Sequence, residues 1–414
     1  MQPEDFFNDS DVHNYVNRAK ILNQSNKKFS DIIDKNGYQY VDLVQEGGGI
    51  LGIALIGYTY ILEKAGIRFF NLAGASAGAI NTIFMSSIKD ITSEKSEKVL
   101  SALLEQNLFD FVDGGSFVKK MVTRFTSDKS VLGTVFWNIF KLEKKIVKNM
   151  GLNPGKKFED WITAKLAENG IVTLRDMKNR MADLPEFFNT ADGNSIPQKY
   201  DSILIAIVAT DATTKTKVEF PRMAPLYWES ENISPAYFVR ASMSIPMFFE
   251  PFTVKDVPGK GGKQNPFWQD MAGYYGVIPD EIKFVDGGLI SNFPINIFHR
   301  DGIPNKPTFG VRLSAYREET AKTDHFGGFV GGMLDALRQQ FDFDFLLRHP
   351  DYKKLICKLD ADKTYNWLDF NIPDDSKLGL FKLGASRAID FLEKFDWGSY
   401  KNIRKALITA PISE

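Results

Sequence analysis

Three loops of this 414-residue chain hold residues whose types and spacing could do chemistry. The first lies in VDLVQEGGGILG, where Gly47, Gly48, Gly49 and Gly52 satisfy G-x-G-x-x-G after an apolar run and before a helix-like one. Such a loop suits a dinucleotide pyrophosphate held by backbone N–H groups at a helix N-terminus. The second is Gly74-Ala75-Ser76-Ala77-Gly78, a G-x-S-x-G at a strand-to-helix turn. Small residues on both sides of Ser76 suit a strained elbow that presents a nucleophilic hydroxyl beside the partly positive end of a helix. They equally suit a close-packed turn in which Ser76 only caps the helix. The third is Asp286-Gly287-Gly288, a carboxylate ending an apolar strand. Taken alone, that tripeptide is usually just a turn.

The second loop decides how the first is read. A dinucleotide-binding unit places an acid about 20 residues after its glycines, to hold a ribose hydroxyl. Here that place is taken by Asn71, Leu72 and Ala73. Acyl transfer through a serine instead creates a tetrahedral oxyanion, which needs N–H donors already aimed at it. The backbone of Gly47, Gly48 and Gly49, with the N–H of Ala77, can supply them. An oxidoreductase is therefore the most distant of the readings considered.

A serine nucleophile needs a proton acceptor. His13 lies in the polar N-terminal segment, His325 in a glycine-rich loop, and His349 before Pro350. His299 is the best placed of the four, and each is more often a surface or packing residue. Asp286 is the stronger candidate if its strand ends on the carboxyl side of a parallel sheet, where such sheets bind ligands.

The elements that must position these loops follow a βαβ rhythm. A strand is expected near 40–45, an apolar helix near 51–65 ended by Gly66, a strand near 67–73 and a helix from about 77. Near-continuous apolar runs suit a parallel sheet covered on both faces. The uncharged stretch from Phe69 to Ile88 is long enough to span a bilayer. Its Asn, Ser and Thr residues and paired glycines fit a buried strand-turn-helix better. Residues from about 95 to 185 read as long helical segments without a clear strand. Further strands are expected at YDSILIAIVATD, IKFVDGG and PTFGVRLS, and the last 90 or so residues read as mostly helical. The chain divides into a polar helical extension (1–37), an α/β domain (38–325) carrying the helical insertion, and a C-terminal helical segment (326–414) on the same domain.

Bulk composition excludes several classes. Lys and Arg number 51 against 52 Asp and Glu, so the global balance offers nothing to nucleic acid. The single Cys357 forms no internal disulfide and fits a reducing compartment. With four scattered histidines, no metal site is expected, and no cofactor. FDFDF (341–345) lacks the ligand spacing of a calcium loop and reads as part of a helix. The acidic, polar N-terminus is neither a secretory signal nor a transit peptide, so a cytoplasmic protein is expected, with export lacking a cleaved signal left open.

Glycine loop, G-x-S-x-G and D-G-G, in that order, resemble the patatin-like phospholipase family. ATDATTKTKVEF (209–220) and VRASMSIPMFFEP (239–251) are similar to family segments, and GLNPGKKFEDWITAKLAENGIVTLRDM resembles the helical insertion of bacterial members. The resemblance spans roughly residues 38–320. It implies a three-layer α/β sandwich with a mostly parallel central sheet and a lid-like helical insertion. It also implies a histidine-free dyad: Ser76 as nucleophile, Asp286 as general base and acid, Gly47, Gly48, Gly49 and Ala77 as the oxyanion hole. Gly52, Gly74, Gly78, Gly287 and Gly288 support it. The implied activity is hydrolysis of fatty-acyl esters of glycerolipids, as a phospholipase A or lysophospholipase. A neutral-lipid lipase or transacylase, and a catalytically silent lipid-binding scaffold, are the alternatives. Many members carry Arg or Lys where this chain has Leu51. The substrate must come from a membrane or micelle, and the stretch 117–150, with eight Lys/Arg, two Asp/Glu and interleaved aromatics, suits a membrane contact or an ordinary helical insertion. Arg240 reads as structural, holding its helix near the Asp286 loop.

Overall fold

The computed structural model describes residues 1–116, 118–119, 148–190, 193–196, 204–262, 265–315 and 342–409, with scattered positions between 316 and 341. Most of the basic, aromatic stretch 117–150, and His325, fall outside the described residues.

The strands are β1 (Ile32–Asp34), β2 (Gln39–Gln45), β3 (Ile67–Ala75), β4 (Gly151–Asn153), β5 (Phe187–Asn189), β6 (Ser195–Ile196) and β7 (Ile205–Asp211). They continue with β8 (Thr216–Phe220), β9 (Met247–Phe249), β10 (Phe252–Lys255), β11 (Glu281–Asp286), β12 (Thr308–Arg312) and β13 (Ile356–Lys358). The centre of the main sheet is parallel, in the order β13-β12-β2-β3-β7. Its inner strands β3 and β7 are buried at every residue, which explains why they read as apolar runs without alternation. Antiparallel additions extend both sides: β1, β5 and β6 beyond β2, and β8, β11 and β10 around β7.

One feature of β7 sets up the site. Strand β8 pairs along β7 from Ile207 to Asp211 and occupies one edge. Strand β3 pairs with Ile205–Val208 and β11 with Ala209–Asp211, so these two must share the other edge. They run toward each other and meet end to end.

Helix α1 (Pro3–Phe7) and helix α2 (Ser10–Gln24) precede the sheet, and α3 (Gly52–Lys64) and α4 (Ala77–Ser87) follow the two glycine loops. Then come α5 (Ser96–Leu104), α6 (Lys156–Glu168), α7 (Leu174–Ala182), α8 (Ala236–Ser242), α9 (Pro266–Ala272), α10 (Asp374–Lys394) and α11 (Trp397–Thr409). Helix α3 is buried from Ile53 to Glu63 because α2 and α10 cover it as it packs on β3. Its crossing with α10 is close: a β-carbon on Gly57 would stand 2.1 Å from Phe381 O, and one on Gly384 1.9 Å from Ala54 O.

The segment from Phe69 to Ile88 is the end of β3 followed by α4, buried within the fold. No helix among the described residues is long and apolar enough to cross a membrane. The insertion departs from expectation in one respect. Strand β4 lies within it and pairs with β9 through Gly151↔Met247 and Asn153↔Phe249. Three residues are too few to show a period, and Gly151 is there because a β-carbon would meet the Phe249 backbone at 2.4 Å.

Candidate active site

Ser76 sits where β3 turns into α4, with φ 51° and ψ −117°. A non-glycine residue at positive φ is strained, and such strain persists only where the surroundings impose it. They do so here. Gly74 is pressed against the carbonyl of Gly78, where a β-carbon would stand 2.4 Å away, and Gly78 against Gln45 O at 2.3 Å. The Ser76 N–H donates to Ser242 Oγ (2.9 Å), and Ser242 Oγ donates to Val208 O (2.6 Å). The Ser76 hydroxyl donates to the Met243 sulfur at 3.2 Å. Ser76 is 4% exposed.

Asp286 arrives from the other direction. It is the last residue of β11, at the carboxyl end of its strand as expected, but β11 runs antiparallel to β7, a direction that hydrophobic pattern does not show. The shared edge still delivers it to the nucleophile. Ala75, the residue before Ser76, pairs with Val208, and Asp286 pairs with the next residue, Ala209. Asp286 Oδ1 accepts the Gly288 N–H (2.6 Å), its own N–H donates to Ser244 O (2.8 Å), and its carbonyl accepts from Thr210 Oγ1 (3.1 Å). Gly287 passes so close to β7 that a β-carbon would stand 2.0 Å from Val208 O.

The glycine loop lies against Ser76. A β-carbon on Gly47 would stand 3.0 Å from Ser76 Cβ. Of the four expected oxyanion donors, Gly47 is engaged, since its N–H donates to Asn292 O at 3.0 Å. The N–H groups of Gly48, Gly49 and Ala77 have no backbone acceptor among the described residues. Gly49 has φ 54°, and a β-carbon there would collide with Trp367 O at 2.1 Å. The Ile50 N–H donates to that same carbonyl (3.0 Å). Gly52 faces Ala77, 3.1 Å from a β-carbon to Ala77 Cβ. Leu51 is buried in the core.

Behind the loop, Glu46 is fully buried and its carboxylate accepts from the N–H of Ser314 (3.0 Å), the N–H of Leu313, Ser314 Oγ (2.6 Å) and Asn292 Nδ2 (3.3 Å). Arg240 is also buried and donates to Ser244 Oγ (2.6 Å), Pro154 O (2.7 Å) and Glu250 O (2.8 Å). Burial pulls its guanidinium down to about 10, so it stays charged at neutral pH. It is linked to Asp286 through Ser244, whose carbonyl accepts the Asp286 N–H, in keeping with a structural role.

His299 is elsewhere. Its Nδ1 lies 2.9 Å from Tyr352 OH, and its ring packs against Phe345 and His349. Burial, with His349 and Arg404 nearby, lowers its pKa. The neighbouring Phe298 and Arg300 line a pocket with Asp42 of β2, four residues upstream of Glu46, or about 13 Å along a strand. Among the described residues no group of three or more His, Cys, Asp and Glu is arranged to hold a metal ion.

A pocket opens beside the Ser76 elbow and the glycine loop. Gly49, Ala77 and Met243 line it together with Ile80, Phe158 and Trp161. Nearly every lining side chain is apolar, as in sites that take apolar ligands. The sequence reading passed over Ser242, Met243, Asn292, Glu46 and Trp367. The serines were visible within VRASMSIP, but nothing local marks the other contacts.

Residues 43–299 match the family described as patatin-like phospholipase. A Bacillus subtilis (strain 168) protein, YqhO, described as uncharacterized, is 27% identical over 361 residues, covering 86% of this chain and all of that protein. The crystal structure of VipD from Legionella pneumophila aligns with a TM-score of 0.40 at 13% identity, over 91% of this chain and 74% of that one.

Proposed function

The chain belongs to the patatin-like phospholipase family, and we propose that within it this protein is a lipid acyl hydrolase using a Ser76–Asp286 dyad on fatty-acyl esters of glycerophospholipids. The observation that carries this reading is the meeting of β3 and β11 on one edge of β7, beside an apolar pocket. Ser76 Oγ attacks the ester carbonyl and its proton passes to the Asp286 carboxylate. The oxyanion is met by the N–H groups of Gly48, Gly49 and Ala77. The leaving alcohol takes the proton back from Asp286, and an acyl-enzyme remains on Ser76. Water then releases the fatty acid, with Asp286 again as base.

The pocket supports a fatty-acyl substrate. Each methylene removed from water contributes about 0.8 kcal/mol, so a long chain supplies most of the binding without any charged contact. Phospholipase A or lysophospholipase activity at a membrane or micelle surface is the form proposed.

Fatty-acid release from mixed phospholipid vesicles tests the reading, with chelator present. Wild type should release fatty acid, Ser76→Ala and Asp286→Ala should fall to background, and His299→Ala should stay within about threefold of wild type. An active Asp286→Ala protein, or an inactive His299→Ala protein that is still folded, would overturn the dyad. Wild type that neither releases fatty acid nor labels at Ser76 with a fluorophosphonate would overturn the hydrolase.

A further inference from the structure

Asn292, six residues beyond Asp286 in DGGLISN, has one unexplained atom. Its amide nitrogen faces two acceptors, Gly47 O at 3.1 Å and Glu46 Oε1 at 3.3 Å. An oxygen placed there would face two oxygens, so the orientation of the amide is fixed. The carbonyl oxygen, Oδ1, must then point the other way. It is buried and has no hydrogen-bond donor among the described residues, while the residue is only 3% exposed. A buried acceptor left without a donor costs about 1–3 kcal/mol, and in native proteins such atoms are few.

The surroundings of Oδ1 say what it faces. A β-carbon on Gly288 would stand 2.5 Å from Asn292 Oδ1 and 2.8 Å from Asp286 Oδ1, so the two oxygens are no further apart than the sum of those lengths, about 5.3 Å. A β-carbon on Gly47 would stand 2.5 Å from Asn292 Oδ1 and 3.0 Å from Ser76 Cβ, which puts Oδ1 within about 5.5 Å of the nucleophile's β-carbon. A water donating to two oxygens at about 2.7–2.8 Å each spans up to about 5.5 Å. The separation of Asn292 Oδ1 and Asp286 Oδ1 is thus within the span of one bridging water, on the side of Gly288 where any other residue would place a methyl group.

We propose that Asn292 Oδ1 holds the water that hydrolyses the Ser76 acyl-enzyme; the inference rests on the hydrolase reading above. One water hydrogen is donated to Asn292 Oδ1 and the other to Asp286. The water oxygen attacks the acyl carbon as its proton moves to the Asp286 carboxylate. The C–Oγ bond then breaks, Asp286 returns the proton to Ser76 Oγ, and the fatty acid leaves. Asn292 gains and loses no proton; it orients the nucleophile for the second half of the reaction only.

That restriction makes the role separable from a structural one. In Asn292→Ala the backbone bond from Gly47 N–H to residue 292 O survives, so the first half-reaction keeps its loop. Fluorophosphonate labelling of Ser76 should stay within about threefold of wild type, while kcat on a p-nitrophenyl acyl ester falls about 100-fold, the scale of a lost orienting contact. A burst of p-nitrophenol and a Ser76 acyl adduct in the quenched intact mass should both appear. Gly288→Ala, which places a methyl group between the two oxygens and against the Asn292 amide oxygen while keeping the amide itself, should show the same split. If labelling and turnover fall together in both variants, Asn292 is only a strut of the glycine loop and the proposal is wrong. It is equally wrong if turnover in Asn292→Ala holds within threefold. Wild type that fails to label is the separate outcome that removes the hydrolase reading, and this inference with it.

Discussion

The Ser76 hydroxyl donates its hydrogen to the Met243 sulfur at 3.2 Å. A thioether is a weak acceptor, so the nucleophile's proton is held by a contact that is easily given up. Replacing it with another apolar side chain of similar volume should cost little: Met243→Leu is expected to lose less than about 1.5 kcal/mol of stability and to keep kcat within threefold. Met243→Gln puts a strong amide acceptor at the same place. It should hold the hydroxyl away from Asp286 and lower kcat about tenfold, equivalent to about 1.4 kcal/mol. Equal rates for the two variants would show that the contact plays no part in the resting state.

Strain at the elbow gives a second prediction. Ser76 holds φ 51° and ψ −117°, a region that glycine enters without penalty and other residues occupy at a cost of order 1–3 kcal/mol. Glycine also loses more backbone entropy on folding, which removes about 0.5–1 kcal/mol of that gain. Ser76→Gly should therefore be inactive and more stable than Ser76→Ala by about 1 kcal/mol, read from denaturant midpoints. A less stable glycine variant would mean that the turn is not strained.

Much of this was legible in the sequence, for a definite reason. Strand β3, which carries Ser76, is buried at every residue, and burial on both faces leaves a continuous apolar run; β11, which carries Asp286, alternates half-buried and buried positions, and small residues close both strands. Each glycine marks a close approach: Gly74 to Gly78, Gly78 to Gln45, Gly287 to Val208. Spacing could not show that β11 runs against β7, since a strand reads the same in either direction. It also could not show that Asn292 meets Gly47 across 245 positions, or that the carbonyl of Trp367 closes on Gly49. Those contacts belong to the tertiary arrangement, and Gly47 looked like a free oxyanion donor for the same reason.

The pocket predicts a chain-length preference. Ile80 lies in the first turn of α4, four residues after the nucleophile, and lines the pocket with Phe158 and Trp161. Ile80→Trp fills part of that space without touching Ser76 or the glycine loop. The ratio of kcat/KM for long-chain against butyryl p-nitrophenyl esters should fall at least tenfold, about two lost methylene burials at 0.8 kcal/mol each. Short esters should react at close to the wild-type rate. An unchanged ratio would place the acyl chain outside this pocket.

The last prediction concerns stability and pH. Glu63, in the last turns of α3, is buried, and its carboxylate accepts from the N–H groups of Lys95 (2.9 Å) and Ser96 (3.0 Å) at the start of α5. Burial outweighs those bonds and the nearby Arg68, raising its pKa from 4.5 to about 7. Between those values the folded protein keeps a proton that the unfolded chain releases, so stability must fall as pH rises through that window. The contribution is complete below about 4.5 and gone above about 7. Other groups titrate over the same range, so the quantity to read is the difference between wild type and Glu63→Gln. The unfolding midpoint of wild type should decline relative to the variant from about pH 5 to pH 7, and the two curves should run parallel beyond it. A difference that stays constant across the window would mean that Glu63 ionises in the folded protein as it does in the unfolded chain, with the Lys95 and Ser96 bonds offsetting its burial in full.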